Sequence, residues 1–432
     1  MELTIAALLI GLMLALLAGG LWIGLALMAI GILGMLGFTP RAPGDGMAVA
    51  IWGANSSWTL TALPLFLWMG EILFRTKLSE DMFKGLSPWL ERLPGRLLHT
   101  NIIGCTLFAA VSGSSAATCA TIGKIALPEL TRRGYPESMA LGTLAGAGTL
   151  GLLIPPSIIM IVYGVSADVS IAKLFIGGVL PGILLAGLFM GWVVGWSLLN
   201  RARIPPADLR TNFIGKLRAS RNLIPVILLI GGVLGSIYAG IATATEAAAI
   251  GVIGSLIIAA SQKSLTRKSF IDALMGATRL YCMIALILGG SAFLTLAMGY
   301  IGLPRHLAEW ISSLGLSQGM LLVALAVFFV LLGCFLDGIS IVVLTMAVLL
   351  PTIHAAGIDP LWFGVFVVVV VEMAQITPPV GFNLFVLQGL TGKQITEIAR
   401  YALPYFLLMV LAVVLLYLFP GLVTWLPAHM MG

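Results

Sequence analysis

The chain has 432 residues, of which 60% are hydrophobic and only 9% charged, and its mean hydropathy is +1.10. A soluble domain carries about 25% charged residues, so a soluble enzyme or binding module is excluded. At about 20 apolar residues per crossing, the length suffices for about a dozen spans, which makes the chain an all-α polytopic membrane protein. A β-barrel is excluded because continuous apolar runs such as Val365 to Val371 do not alternate in and out. The net charge of +6 and the pI near 9.3 come from basic residues gathered in loops between apolar runs. That pattern marks orientation in a membrane and not a nucleic-acid-binding face.

Apolar runs cover 3–18 and 21–37, split at Gly19-Gly20, and then 47–74. The N-terminal stretch Leu3 to Leu36 is too long for a cleavable signal and lacks a basic leader, so it is expected to remain as membrane helix. After the polar stretch Arg75 to Arg96 comes the run 97–130, interrupted by VSGSSAATCAT at 111–121 and flanked by Arg96 and by Arg132-Arg133. Two basic ends on one side require the segment to enter the membrane and turn back, as a re-entrant hairpin. Runs at 138–165, 178–199, 222–240, 243–260 and 280–300 come next. The run 318–350 is broken at Cys334-Phe335-Leu336-Asp337-Gly338 and has sparsely basic flanks around Arg305 and His354. It predicts a second hairpin that opens to the opposite side. Runs at 361–388 and 402–426 complete the chain. In this topology Arg41, Lys173 and Arg305 lie outside, Lys124 lies within the first hairpin, and the other Lys and Arg residues lie inside, as the positive-inside rule requires.

Landmarks recur at one offset of 223 residues: Leu127-Pro128 with Leu350-Pro351, Gly134 with Gly357, Pro155-Pro156 with Pro378-Pro379, and Leu180-Pro181 with Leu403-Pro404. Recurrence in one register indicates duplication, and the topology sets the halves in opposite orientations. Inverted repeats are the mark of secondary transporters, which alternate access around a site near the midplane. Each repeat reads as two scaffold spans, a third span, a re-entrant hairpin, a helix broken at Pro-Pro, an amphipathic linker (168–178 and 391–402) and a final span.

Four segments carry chemically informative backbone: the tips Val111 to Thr118 and Leu336 to Ser340, and the breaks Gly146 to Ser157 and Glu372 to Asn383. Proline frees carbonyls in the turn before it, and in a dry interior those oxygens need a partner such as Na⁺. Half-helix N-termini direct N–H groups and positive dipole ends at an anion such as a carboxylate. One tip and one break per repeat predict two cation sites flanking an anion site. Asp337 at the second tip and Glu372 at the start of the second break are candidates to hold a cation, a proton or a helix N-terminus; either can also be purely structural. Glu246 and Glu71 are expected to pair or to lie at an interface, and Lys124 and Glu129 to pair loosely or to face a cavity, with contact to a substrate as the lesser alternative. The cysteines Cys105, Cys119, Cys282 and Cys334 lie in apolar stretches without CxxC spacing and read as packing residues. The four histidines lack ligand spacing, no nucleotide-binding G-x-x-x-x-G-K-[ST] occurs, and no Ser-His-Asp or GxSxG arrangement suggests catalysis.

The motifs SGSSAATCATIG (112–123), LPELTRRGYP (127–136), GTLGLLIPPSI (148–158), FLDGISIVVLTMAVLLP (335–351) and ITPPVGFNLFV (376–386) run through both halves. In these the chain resembles the large membrane subunit of the tripartite ATP-independent periplasmic (TRAP) transporters. The resemblance implies an inverted-repeat elevator transporter fold with two re-entrant helical hairpins and two broken helices, in the bacterial inner membrane. Residues 1–74 would then be scaffold helices of the first repeat and 75–165 its transport-domain elements, with hairpin 97–130 and broken helix 138–165. Residues 166–221 would form a linker, a span and the cytoplasmic connection, and 222–300 the scaffold helices and third span of the second repeat. Residues 301–390 would hold hairpin 318–350 and broken helix 361–388, and 391–432 the second linker and final span. It further implies Na⁺ coupling without nucleotide, a periplasmic substrate-binding protein, a small four-helix membrane subunit expected as a separate chain, and a small organic acid as substrate. One Na⁺ site would use Ser112, Gly113, Ser114 and Ser115 with Gly148, Gly151 and Pro155; the other would use Gly338 with Thr377, Pro378 and Val380. Substrate would lie near Ser114, Asp337, Gln375 and Asn383. Many members resemble E-x-G-x-I-T-P-P at the second break, where this chain has Ala374 in place of glycine. The competing readings are a stand-alone Na⁺ or H⁺ carboxylate symporter and a channel.

Overall fold

The structure is a computed structural model that describes residues 2–206, 212–303, 306, 309, 315–334, 336–379 and 381–430. All regular elements among these residues are helices. The chain folds as an inverted repeat with two helical hairpins and two broken helices. Among the described residues, six helices are long and apolar enough to cross a membrane by themselves.

The first hairpin has arms Leu98–Ser112 and Ser115–Arg132, and the second has arms Gln318–Gly333 and Gly338–Ala355. Both descending arms end in the same cap. Gly134 N–H donates to Thr131 O and Tyr135 N–H to Leu130 O, each at 3.0 Å; Gly357 N–H donates to His354 O at 3.0 Å and Ile358 N–H to Ile353 O at 3.1 Å. The two glycines adopt φ of +77° and +68°, the left-handed geometry this cap requires. At this cap the 223-residue register is therefore kept hydrogen bond for hydrogen bond.

The broken helices are Glu137–Gly148 with Leu150–Leu153 and Ile158–Ala167, and Pro360–Gln375 with Phe382–Thr391. Both breaks fall at the proline pairs, whose Pro-Pro bonds are cis. After each break the half-helix starts afresh; Ser157 Oγ accepts from Met160 N at 3.3 Å, capping the first of them.

Three expectations about boundaries are corrected. The linkers 168–178 and 391–402 do not stand as separate elements: Asp168 (φ +54°) and Gly392 (φ +71°) end the preceding half-helices in left-handed geometry. The remainder of each linker is continuous with a final span, Ile171–Leu199 in the first repeat and Ile395–Leu418 in the second. The run 402–426 ends early, because Phe419, held out of helical geometry before Pro420, separates Ile395–Leu418 from Gly421–Met430. The third spans also differ. In the first repeat Pro43–Asn55 and Trp58–Phe74 are bent by 54° at Ser56-Ser57. In the second, Arg267–Ile301 is one helix of 35 residues, about 52 Å at 1.5 Å per residue, so it extends beyond a hydrocarbon core of about 30 Å. It packs closely on the N-terminal helices: a Cβ on Gly24 would lie 2.9 Å from Leu286 O, and one on Gly290 would lie 2.6 Å from Gly24 O. Glycine permits such approach where lipid supplies no hydrophobic drive.

Candidate functional site

The first tip is made by Gly113 in left-handed geometry (φ +60°), which ends Leu98–Ser112, and by Ser114, whose hydroxyl caps Ser115–Arg132 by accepting from Ala117 N at 3.4 Å. Ser112 Oγ lies 2.7 Å from Thr118 Oγ1, so the two arms are tied just behind the turn. This tip seats directly on the first break. A Cβ on Gly151 would lie 2.6 Å from Ser114 O and 2.7 Å from Ser115 Cα; one on Gly113 would lie 2.8 Å from Pro156 O. Ile158 N–H reaches Gly113 O at 3.5 Å. Ser112, Gly113, Ser114, Ser115, Gly151 and the Pro155-Pro156 turn thus meet in one place. Gly148 lies a turn earlier, against Cys119 and Asn383.

Glu372 belongs to this same place. The sequence puts it at the second break, yet its carboxylate Oε1 accepts from Leu152 N at 3.1 Å and from the Ser115 hydroxyl. It is 1% exposed, and its Oε2 has no hydrogen-bond partner among the described residues. The second repeat therefore braces the tip and break of the first. Its partners lie 220 and 257 residues away, which is why residue order could flag the acid but not what it holds.

The second tip is built differently. Asp337 caps Gly338–Ala355, accepting from Ile339 N at 3.1 Å and Ser340 N at 3.3 Å, and it also accepts from the Ser340 hydroxyl. Gly338 faces Val371, Ile159 and Leu152. Contact with the second break runs instead through Cys334, whose thiol donates to Pro378 O at 3.3 Å. Thr377 Oγ1 donates to Met373 O at 2.8 Å, and the carbonyls of Gln375 and Thr377 crowd around Gly381, 3.0 and 2.9 Å from where its Cβ would stand. Val380 lies outside the described residues, as do Arg305 and Phe335. The Ala374 methyl occupies the space beside Gly333, only 2.3 Å from where a Cβ there would be. A glycine on the hairpin arm thus makes room for the alanine on the broken helix.

A cavity of about 260 Å³ opens beside the first tip, lined by Ser112, Ser114, Ala117 and Ala120 from the hairpin and Ile339 from the second tip. Its opposite wall comes from Leu67, Glu71, Phe74, Leu280 and Ile284 on the two third spans. Of the residues expected at the substrate, Ser114 alone lines it. Gln375 is buried with Nε2 unpartnered among the described residues, and Asn383 is buried with Nδ2 donating to Ala145 O at 3.4 Å and Oδ1 likewise unpartnered among them. Apart from Glu71, the residues of this wall carry no sign in the sequence, because Leu and Ile in apolar runs give no local mark of facing a cavity.

The other singled-out acids have local partners. Glu71 pairs with Arg75, and Glu246 forms a capping box with Thr243, donor and acceptor 2.8 Å apart. Glu129 pairs with Arg132 and Arg133, each at 2.7 Å, and not with Lys124. Cys105, Cys119 and Cys334 are buried, whereas Cys282 is exposed.

Residues 10–422 match the family model described as tripartite ATP-independent periplasmic transporter, DctM component. The C4-dicarboxylate TRAP transporter large permease of Pseudomonas aeruginosa is 34% identical over 92% of this chain and 91% of its own length. That of Rhodobacter capsulatus is 32% identical over 98% of both. The sialic acid large permease of Vibrio cholerae is 27% identical over 88% of each chain. The crystal structure of the Alcanivorax borkumensis YdaH transporter shares the fold, with a TM-score of 0.67 at 17% identity over 92% of this chain and 97% of that one. The chain is a multi-pass protein of the bacterial inner membrane and belongs to the DctM component family of TRAP transporters.

Proposed function

We propose that the chain is the membrane subunit of a sodium-coupled, binding-protein-dependent secondary transporter that imports a small organic acid by an elevator motion. Family membership supports the transport role, and the name of the family, tripartite, supports a binding protein and a small membrane subunit as partners. The observation that carries ion coupling is the seating of the first tip on the first break. Carbonyl oxygens of Gly113, Ser114 and Pro156 lie about this seating between helix ends, with the Ser112 hydroxyl 3.4 Å from Ser114 O. Such oxygen-rich, unwound backbone in a membrane interior suits a small hard cation. The elevator reading is supported by the cavity lying between hairpin tips on one wall and the third spans on the other. Relatives that match along the same length are named for C4-dicarboxylates, sialic acid and ectoine. A C4-dicarboxylate, a sialic acid or another sugar acid is the substrate class in keeping with them, with selection shared with the binding protein.

The test is reconstitution in liposomes with the small subunit and the binding protein. Uptake should require an inward Na⁺ gradient and both partners. Uptake by this chain without them would establish a stand-alone symporter, and downhill flux independent of Na⁺ would establish a channel.

A further inference from the structure

A second, larger cavity of about 600 Å³ lies between the surface helix Leu78–Leu90 and the descending arm Ser115–Arg132. That volume lies within the range of small-ligand sites. Its charged lining is Glu80, Lys84, Glu91, Lys124, Glu129 and Arg133. The acids have cationic partners: Glu80 has Lys84 at 3.9 Å, Glu91 has Arg133 at 3.7 Å, and Glu129 has Arg133 and Arg132. Lys124 is the one cation of this lining, among the described residues, with no carboxylate partner. Its ammonium lies 5.7 Å from the centre of the Phe74 ring, a contact that leaves its donors free.

The two cavities adjoin along one helix face. Ala117 and Ala120 line the tip cavity, and Lys124 lies at the i+4 position from Ala120, on the same face and about one turn toward the basic, cytoplasmic end. Phe74, which lines the tip cavity, is also the ring that Lys124 touches. The methyl side chains of Ala117 and Ala120 leave this face unobstructed, and the flexible stem of lysine lets its charge sweep several ångströms along it.

We propose that Lys124 and the cavity it faces form a carboxylate-binding subsite on the cytoplasmic side of the first hairpin, which receives the transported anion as it leaves the tip cavity. The ligand class is an organic carboxylate, held by one mobile ammonium in a cavity whose acids are each paired with a basic side chain. The role in transport rests on the function proposed above, whereas the binding site does not.

The test uses the full chain in nanodiscs of neutral phosphatidylcholine, titrated with succinate, N-acetylneuraminate and inorganic phosphate. Wild type should bind at least one carboxylate. Lys124→Gln should weaken that binding about tenfold, the order expected for losing one partly screened charge pair, and Lys124→Arg should restore most of it. An unchanged unfolding midpoint in Lys124→Gln shows that the fold is intact. No carboxylate binding by wild type, or equal binding by Lys124→Gln, overturns the proposal. Binding of phosphate alone, or loss of the Lys124 effect only in phosphatidylglycerol discs, overturns it in favour of a lipid headgroup. Sodium-driven uptake measured separately in liposomes reports on the transport reading, so either conclusion can fail without the other.

Discussion

Removing the carboxylate of Glu372 tests whether the second repeat holds the first repeat's tip against its break. In Glu372→Ala, the Leu152 N–H and the Ser115 hydroxyl lose their common acceptor. Interhelical hydrogen bonds in membranes contribute about 0.6–2 kcal/mol each, and a buried donor left unsatisfied costs about 1–3 kcal/mol. The expected loss is therefore about 2–4 kcal/mol. Glu372→Gln keeps one oxygen able to accept from both donors, so it should remain within about 1 kcal/mol of wild type. The assay is equilibrium unfolding of the purified chain in mixed micelles, with the denaturant midpoint as readout. If Gln falls as far as Ala, the negative charge and not the acceptor geometry is what matters. If Ala is neutral, the brace is not a stabilising element at all. Either result refutes the reasoning.

The same geometry sets other outcomes. Gly151→Ala should destabilise by about 1–3 kcal/mol and abolish sodium-dependent uptake, because its methyl would meet the Ser114 carbonyl at 2.6 Å. Gly187→Ala, with nothing within 4 Å of the added Cβ, should instead stabilise by about 0.5–1 kcal/mol. Asp337→Ala should cost about 0.5–2 kcal/mol through loss of the cap on Ile339 and Ser340, with Asp337→Asn recovering most of it; unfolding midpoints decide. Ser114→Ala and Thr377→Ala should each raise the Na⁺ concentration for half-maximal uptake, and an unchanged value would remove the corresponding residue from the ion site.

Residue order by itself determined the set of local events. Hydropathy placed the spans, the cluster at 111–121 and the proline pairs placed the turn and the breaks, and the 223-residue register revealed the duplication before any contact was known. Each depends on a few consecutive residues, on φ freedom at glycine or on a missing N–H at proline, and so is written locally. The boundaries read wrongly were those set by single stops. Asp168 and Gly392 end helices in left-handed geometry where hydropathy continues, and Ser56-Ser57 bends a span that composition reads as whole.

Tertiary structure alone decided which buried polar groups meet. Glu372 was visible as an isolated acid, but only folding brings it to Ser115 and Leu152, and only folding turns Asn383 toward Ala145. The same holds for the space around Lys124, where pairing of the neighbouring acids with Arg133, Arg132 and Lys84 leaves one ammonium facing a cavity. In a membrane interior every side chain has apolar neighbours, so composition cannot rank contacts. The demand that buried polar atoms find partners ranks them, and it is met across the repeats by residues more than 200 positions apart.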